Sequence, residues 1–341
     1  MSFRMALVIT CAAATGFGLT AIGWAHGSPT QRGLSGEVSP PQSAMGPAQE
    51  RDLIGALSDP HWQVRAVAAR RLQSVPTSEI KPDIRRMLIA LLARETAQLE
   101  NRLKGTNPDA YPSSKAGEGW GEYYANLLGL VLKLREPASL PVLVSAAWQP
   151  SSIDIELATY GAPLIPVVLS RLSYLQRFAA RLPGYSDLVA YIAQEAMADI
   201  LTHMMILDKQ RKIEQPLSPA DYDKIRQALR PLLKSANDWV RLYASIGLIQ
   251  AKDSRDTVRI RQAFATFLSA PIPGQRSIGL DRIAADVDEA EFIPMEKVKE
   301  LAQADPYYYM QKTPAGKSVR VYPVRQSALR VLSKFQKTTR N

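Results

Sequence analysis

Val64-Arg65-Ala66-Val67-Ala68-Ala69-Arg70-Arg71-Leu72 spells V-R-x-x-A-x-x-x-L, and the pattern returns along the chain. Val240-Arg241 leads to Ala244 and Leu248, and Val324-Arg325 leads to Ala328 and Leu332. A degenerate copy runs Gln275-Arg276-Ser277-Ile278-Gly279 to Ile283. Another, without the arginine, runs from Ile192 through Ala196 to Ile200. The clear copies lie 176 and 84 residues apart, four spacings of 44 and two of 42. That is the ~40–47-residue period of stacked helical pairs. The alanine and leucine positions fall at i, i+4 and i+8, on one stripe of a helix. A small residue there lets a neighbouring helix approach, and the larger one fills the groove beside it.

Upstream of two copies lies a turn of one kind. Leu57-Ser58-Asp59-Pro60-His61-Trp62-Gln63 precedes Val64, and Leu233-Lys234-Ser235-Ala236-Asn237-Asp238-Trp239 precedes Val240. Turn and helix start together resemble HEAT repeats of the armadillo-like class. The resemblance implies an all-α fold of antiparallel helical hairpins stacked into an α-α superhelical solenoid. Six or seven repeats would fill residues 49–341. It also implies an internal polar ladder of Asp and Arg between repeats. Arg65, Arg241 and Arg325 are then structural, like Ala68, Leu72, Ala244, Leu248, Ala328 and Leu332.

Two segments interrupt the helical rhythm. Residues 101–121 carry Gly105, Pro108, Pro112, Gly117, Gly119 and Gly121 and read as a long surface loop. Residues 307–322 read as a small β-hairpin: Tyr307-Tyr308-Tyr309-Met310-Gln311, then Thr313 to Lys317 as turn, then Ser318-Val319-Arg320-Val321-Tyr322. Alternation along such strands sends some tyrosines inward and others outward. Ser218-Pro219-Ala220-Asp221 has the spacing of a capping box.

The N-terminus reads as an export leader at 1–27. Arg4 precedes an uncharged, largely apolar run from Met5 to Trp24, and small residues follow near Ser28. This predicts a periplasmic or secreted protein, the alternative being an N-terminal membrane anchor with an extracytoplasmic domain. Residues 28–48, rich in Pro, Ser and Gly, read as a flexible linker. The only cysteine is Cys11, within the leader, so a cleaved chain has no disulfide, thiolate metal site or Cys nucleophile. His203 sits in an apolar helical run and reads as packed; His61 sits in a turn and reads as solvated.

Chemistry-bearing motifs are sparse. Gly316-Lys317-Ser318 resembles the end of a phosphate-binding loop, but Gln311 stands where its first glycine belongs. Asp286, Asp288, Glu289 and Glu291 lack the spacing and central glycine of a calcium loop and read as a solvated loop or helix N-terminus. No nucleophile elbow, zinc-protease helix or dinucleotide fingerprint is present. The expectation is a protein without catalytic residues, metal or cofactor.

The net charge is +10, unevenly spread. Residues 310–341 hold eight Lys and Arg and no acid, whereas 281–305 hold eight acids and three bases. The basic end either meets an anionic envelope polymer or lipid, or is neutralised by the acidic stretch. Tyr307, Tyr308, Tyr309 and Tyr322 beside Lys312, Lys317 and Arg320 make the candidate contact patch, with Trp120, Tyr123 and Tyr124 a possible second one. Export argues against nucleic acid. The functional expectation is a scaffold or adaptor for an unknown envelope protein, with anionic-surface docking and an accessory subunit of an enzyme as alternatives.

Overall fold

The computed structural model describes residues 46–104, 119–148, 152–179, 185–313 and 316–338. The expected leader and nearly all of the linker lie outside the described residues. So does most of the 101–121 loop, whose ends are helical. The described chain is mostly helical, with fourteen α-helices and one two-stranded antiparallel sheet. No described helix is long and apolar enough to cross a membrane.

The chain divides into two compact units, Met1–Val142 and Leu143–Asn341. The first holds α1 (Pro47–Ser58), α2 (Trp62–Gln73), α3 (Pro82–Lys104) and α4 (Trp120–Leu134). Each helix packs on the next or the next but one: α1 on α2 and α3, α2 on α4, α3 on α4. Leu72, Ile84, Leu88, Leu92 and Leu127 are fully buried between them. Each such side chain stabilises the fold by roughly 1.5–3 kcal/mol relative to exposure.

Helix α5 (Leu140–Ala146) straddles the division. The second unit continues with α6 (Ser152–Ala158), α7 (Ile165–Ala179), α8 (Tyr185–Lys209), α9 (Pro219–Leu229) and α10 (Asp238–Gln250). It ends with α11 (Thr257–Leu268), α12 (Pro273–Asp286), α13 (Met295–Ala304), the hairpin β1 (Tyr309–Lys312) and β2 (Ser318–Val321), and α14 (Pro323–Thr338). Contacts again run to the next element and the next but one: α8 on α10, α10 on α11 and α12, α11 on α13, α12 on α14. The Ser218 box caps α9 as its spacing predicts: the hydroxyl accepts from the Asp221 N–H and the Asp221 carboxylate accepts from the Ser218 N–H.

The repeated stripe lies where the sequence puts it. Ala68, Leu72, Ala244, Leu248 and Ala328 are buried. Leu332 is only half-buried. In the degenerate copy the alanine position is Gly279. A Cβ there would stand 2.6 Å from the Phe267 ring, so the packing of α11 on α12 requires the absent side chain.

The arginine of the pattern ties the turn behind it. Arg65 Nη1 donates to the Asp59 carbonyl at 2.7 Å, six residues back. Arg241 donates to the Ser235 carbonyl and Arg276 to the Ala270 carbonyl (2.6 Å), each again six residues back. A helix's last carbonyls have no partner of their own, so a cation that reaches them satisfies them and fixes the entry of the next helix. The expected Asp–Arg ladder thus has a local part: the arginine first holds its own turn. Acids join it at Arg65–Glu95, Arg241–Asp238 and Arg276–Asp305. In Arg325 the acceptor is the Asp305 carbonyl, at 2.7 Å and twenty residues back. Twenty in place of six means that fourteen residues have been added to one turn of the series. They are the hairpin.

Candidate partner-binding site

Asp305 is the fixed point of that insertion. Its side chain is buried. Oδ2 accepts from Arg276 Nε at 2.8 Å, Oδ1 accepts from the Tyr307 N–H at 3.1 Å, and its carbonyl accepts from Arg325. Asp305-Pro306-Tyr307 repeats the geometry of Asp59-Pro60-His61, where Asp59 Oδ1 accepts from the His61 N–H at 2.7 Å. The chain leaves α13 as it leaves α1, then departs into strands instead of a helix.

The strands pair in register Tyr309↔Val321, Met310↔Arg320, Gln311↔Val319 and Lys312↔Ser318. The turn closes with the Thr313 N–H on the Lys317 carbonyl at 2.8 Å, and Gly316 supplies the left-handed residue it needs (φ +76°). Gly316-Lys317-Ser318 is therefore a hairpin turn and not a phosphate loop. A two-stranded hairpin is marginal by itself in water, and here a ladder of rings and cations supports its base. The Arg325 guanidinium lies 4.3 Å from the Tyr322 ring centroid, Tyr322 lies 5.6 Å from Tyr308, and Arg320 covers Tyr308 at 4.8 Å.

The expected division into inward and outward tyrosines does not hold. Every strand residue is exposed except half-buried Val321. Tyr307, Tyr308 and Tyr309 are each more than 40% exposed, and among the described residues no third strand pairs with the sheet and no helix packs extensively on it. By alternation one face presents Tyr308, Met310, Lys312, Arg320 and Tyr322, and the other Tyr309, Gln311, Val319 and Val321. Met310 and Val319 were not singled out from sequence, yet both are among the exposed large apolar residues. Beside the base lies a groove of about 500 Å³, bordered by Pro271, Pro273, Leu301, Pro306 and Tyr307.

Trp120 does not belong with this patch. It is buried in the first unit, stacks on Tyr124 at 5.1 Å and donates its indole N–H to Glu95 at 3.3 Å. Tyr123 and Tyr124 are buried beside it, around the ion pair Arg65–Glu95 at 2.7 Å. Burial pushes the Tyr123 phenol up from its ordinary pKa. Those rings hold a core ion pair and are not available as a contact surface.

The acidic and basic stretches meet. Arg330 pairs with Asp281 at 2.5 Å and Lys334 with Asp288 at 2.9 Å. Asp286 corrects an expectation. It ends α12 instead of starting a helix, and its largely desolvated carboxyl, raised in pKa by burial, faces Arg282. Arg282 also pairs with buried Asp199 and lies 5.1 Å from the Tyr243 ring centroid. His203 is packed here as its context predicts, Nδ1 3.0 Å from the Asp199 carbonyl. One turn before Asp199, burial and the Asp199 charge push Glu195 well above the usual carboxylate range. His61 is exposed beside Asp59. Among the described residues no group of three or more His, Cys, Asp or Glu has the arrangement to hold a metal ion. No protein-family model, curated protein or solved structure matches the chain.

Proposed function

We propose that this chain is an exported, non-catalytic protein-binding module, a HEAT-like α-α superhelix whose inserted hairpin is the contact element. The observation that carries the reading is the fourteen-residue addition at a turn that elsewhere closes in six residues, with every strand residue but half-buried Val321 in solvent. A fold that closes the same turn without the addition does not need it for its core. Exposed tyrosine with arginine is the side-chain pairing enriched where proteins bind one another. The superhelical reading is supported by packing between next-but-one helices and by the recurring arginine. Export rests on the pattern of residues 1–27.

Docking of the whole basic end on an anionic polymer or lipid is the weaker reading. Among the described side chains of that end, Arg330 and Lys334 are already paired with acids of the preceding stretch, and Lys312, Lys317 and Arg320 of the hairpin form no ion pair. The test is affinity capture from the native envelope fraction with the intact chain and with a chain lacking residues 307–320, washed at low and then high salt. A stoichiometric protein that survives high salt on the intact chain and is missing from the shortened one is the expected result. Release of all material at high salt, or equal capture by both chains, overturns the reading.

A further inference from the structure

We infer that the partner presents an acidic, extended polypeptide segment, which adds a strand to the outer edge of β1 and places an apolar side chain in the groove beside Tyr307. The inference rests on the protein-binding reading above and names the chemistry of its partner.

Three observations converge. The first is the free edge. The Thr313 N–H to Lys317 carbonyl bond sets the phase of the ladder, so Gln311↔Val319 and Tyr309↔Val321 are the hydrogen-bonded pairs and Met310 and Lys312 turn their backbone groups outward. Among the described residues the sheet has two strands, β1 holds no proline or bulge, and no helix makes an extensive contact with it. Such an edge pairs with any extended chain of suitable side chains.

The second is charge. Residues 306–341 contain no acid. Lys312, Lys317 and Arg320 form no ion pair among the described residues, while the ions at the groove satisfy one another as Arg276–Asp305 and Lys297–Glu300. The strand therefore meets three uncompensated cations and a groove of balanced charge. A second copy of this chain would bring three more cations to the same edge, which like-charge repulsion opposes.

The third is continuity. Asp305, Pro306 and Tyr307 border the groove and run directly into β1. A segment laid along β1 is thereby led toward the groove. A lipid surface fits less well: the turn that would enter it carries Thr313 and Lys317, and the aromatic residues lie at the base.

The test is a displayed library of random decapeptides selected on the full chain, with the recovered sequences resynthesised and titrated. The expected winners are rich in Asp and Glu at alternate positions and carry one large apolar residue near an end. Methylating alternate backbone nitrogens on the pairing edge should weaken them at least about tenfold, because strand addition depends on main-chain bonds. Lys312→Glu with Arg320→Glu should weaken them by about tenfold or more and favour lysine-bearing counterparts of the same peptides. Basic or neutral winners, indifference to methylation, or no peptide binder alongside binding to phosphatidylserine vesicles would each overturn the inference. If capture from the envelope depends on residues 307–320 but the peptides do not behave this way, strand addition fails and the protein-binding reading stands. If capture is unaffected by the deletion, that reading fails first.

Discussion

Two clusters of aromatic rings with arginine have nearly the same composition and opposite fates. In the first unit Trp120, Tyr123 and Tyr124 surround Arg65 and Glu95 and are buried. In the second, Tyr307, Tyr308, Tyr309 and Tyr322 stand with Arg320 and Arg325 in solvent or half-buried. The difference is an internal acid and a backing layer. Glu95 on α3 gives the Arg65 charge a partner within the core, and α2, α3 and α4 close around it. The hairpin has no acid of its own and, among the described residues, no third strand or closely packed helix behind it, so its cations and rings remain available. Rings and arginines alone do not tell a core ion pair from a docking surface.

The largest expected effect breaks the buried cluster. Arg65→Met takes from the Glu95 carboxylate its buried cation and leaves it only the more exposed Arg94, at 3.6 Å, and chemical denaturation should show a loss of about 3–5 kcal/mol. A loss under about 1 kcal/mol would mean that the cluster is no more structural than the hairpin. Next, Gly279→Ala sets a methyl against the Phe267 ring and should cost about 1–3 kcal/mol by the same measurement, since α11 cannot yield without shifting the turn that Arg276 ties. A neutral result would remove the close packing from the account of that turn.

Glu195 sharpens the comparison from the side of the acids. Unlike Glu95 it has Asp199 for a neighbour, and its pKa in the folded chain is raised well above the unfolded value. The folded state therefore holds this proton more tightly than the unfolded state does. The associated stability is full below the ordinary carboxylate pKa and is lost as pH rises through the raised value. Glu195→Gln should remove that part of the dependence, flattening the decline in thermal midpoint from acid towards neutral pH. An unchanged slope would refute it. The smallest expected effect on stability is at the hairpin. Tyr308→Ala removes one exposed ring contact and should cost about 0.5–1.5 kcal/mol at most, while partner capture falls markedly. Loss of stability comparable to that of Arg65→Met would assign the hairpin to the fold.

Much of this was legible in the sequence, for physical reasons. The V-R-x-x-A-x-x-x-L stripe showed helices because side-chain burial follows the helical period. The hairpin was legible because strand-forming residues flank a turn with glycine. What the arginine binds was not legible: its acceptor is a backbone carbonyl, which no residue type announces, and in Arg325 it lies beyond the hairpin. Nor was the exposure of both hairpin faces, since alternation predicts a buried face only where something covers it. Trp120 looked like a contact residue because its acid partner, Glu95, is on another helix. Asp286, Asp288, Glu289 and Glu291 looked solvated as a group, yet Asp288 meets Lys334, and Asp286 meets Arg282, one turn earlier on its own helix.

The central claim is that the hairpin is an addition the fold does not need. Amide hydrogen exchange on the intact chain and on the chain lacking residues 307–320 tests it most directly. The account predicts unchanged protection in α12, α13 and α14, because Arg325 still reaches the Asp305 carbonyl across a turn of the ordinary length. Loss of protection throughout α13 and α14 in the shortened chain would contradict it, and would make the hairpin part of the core.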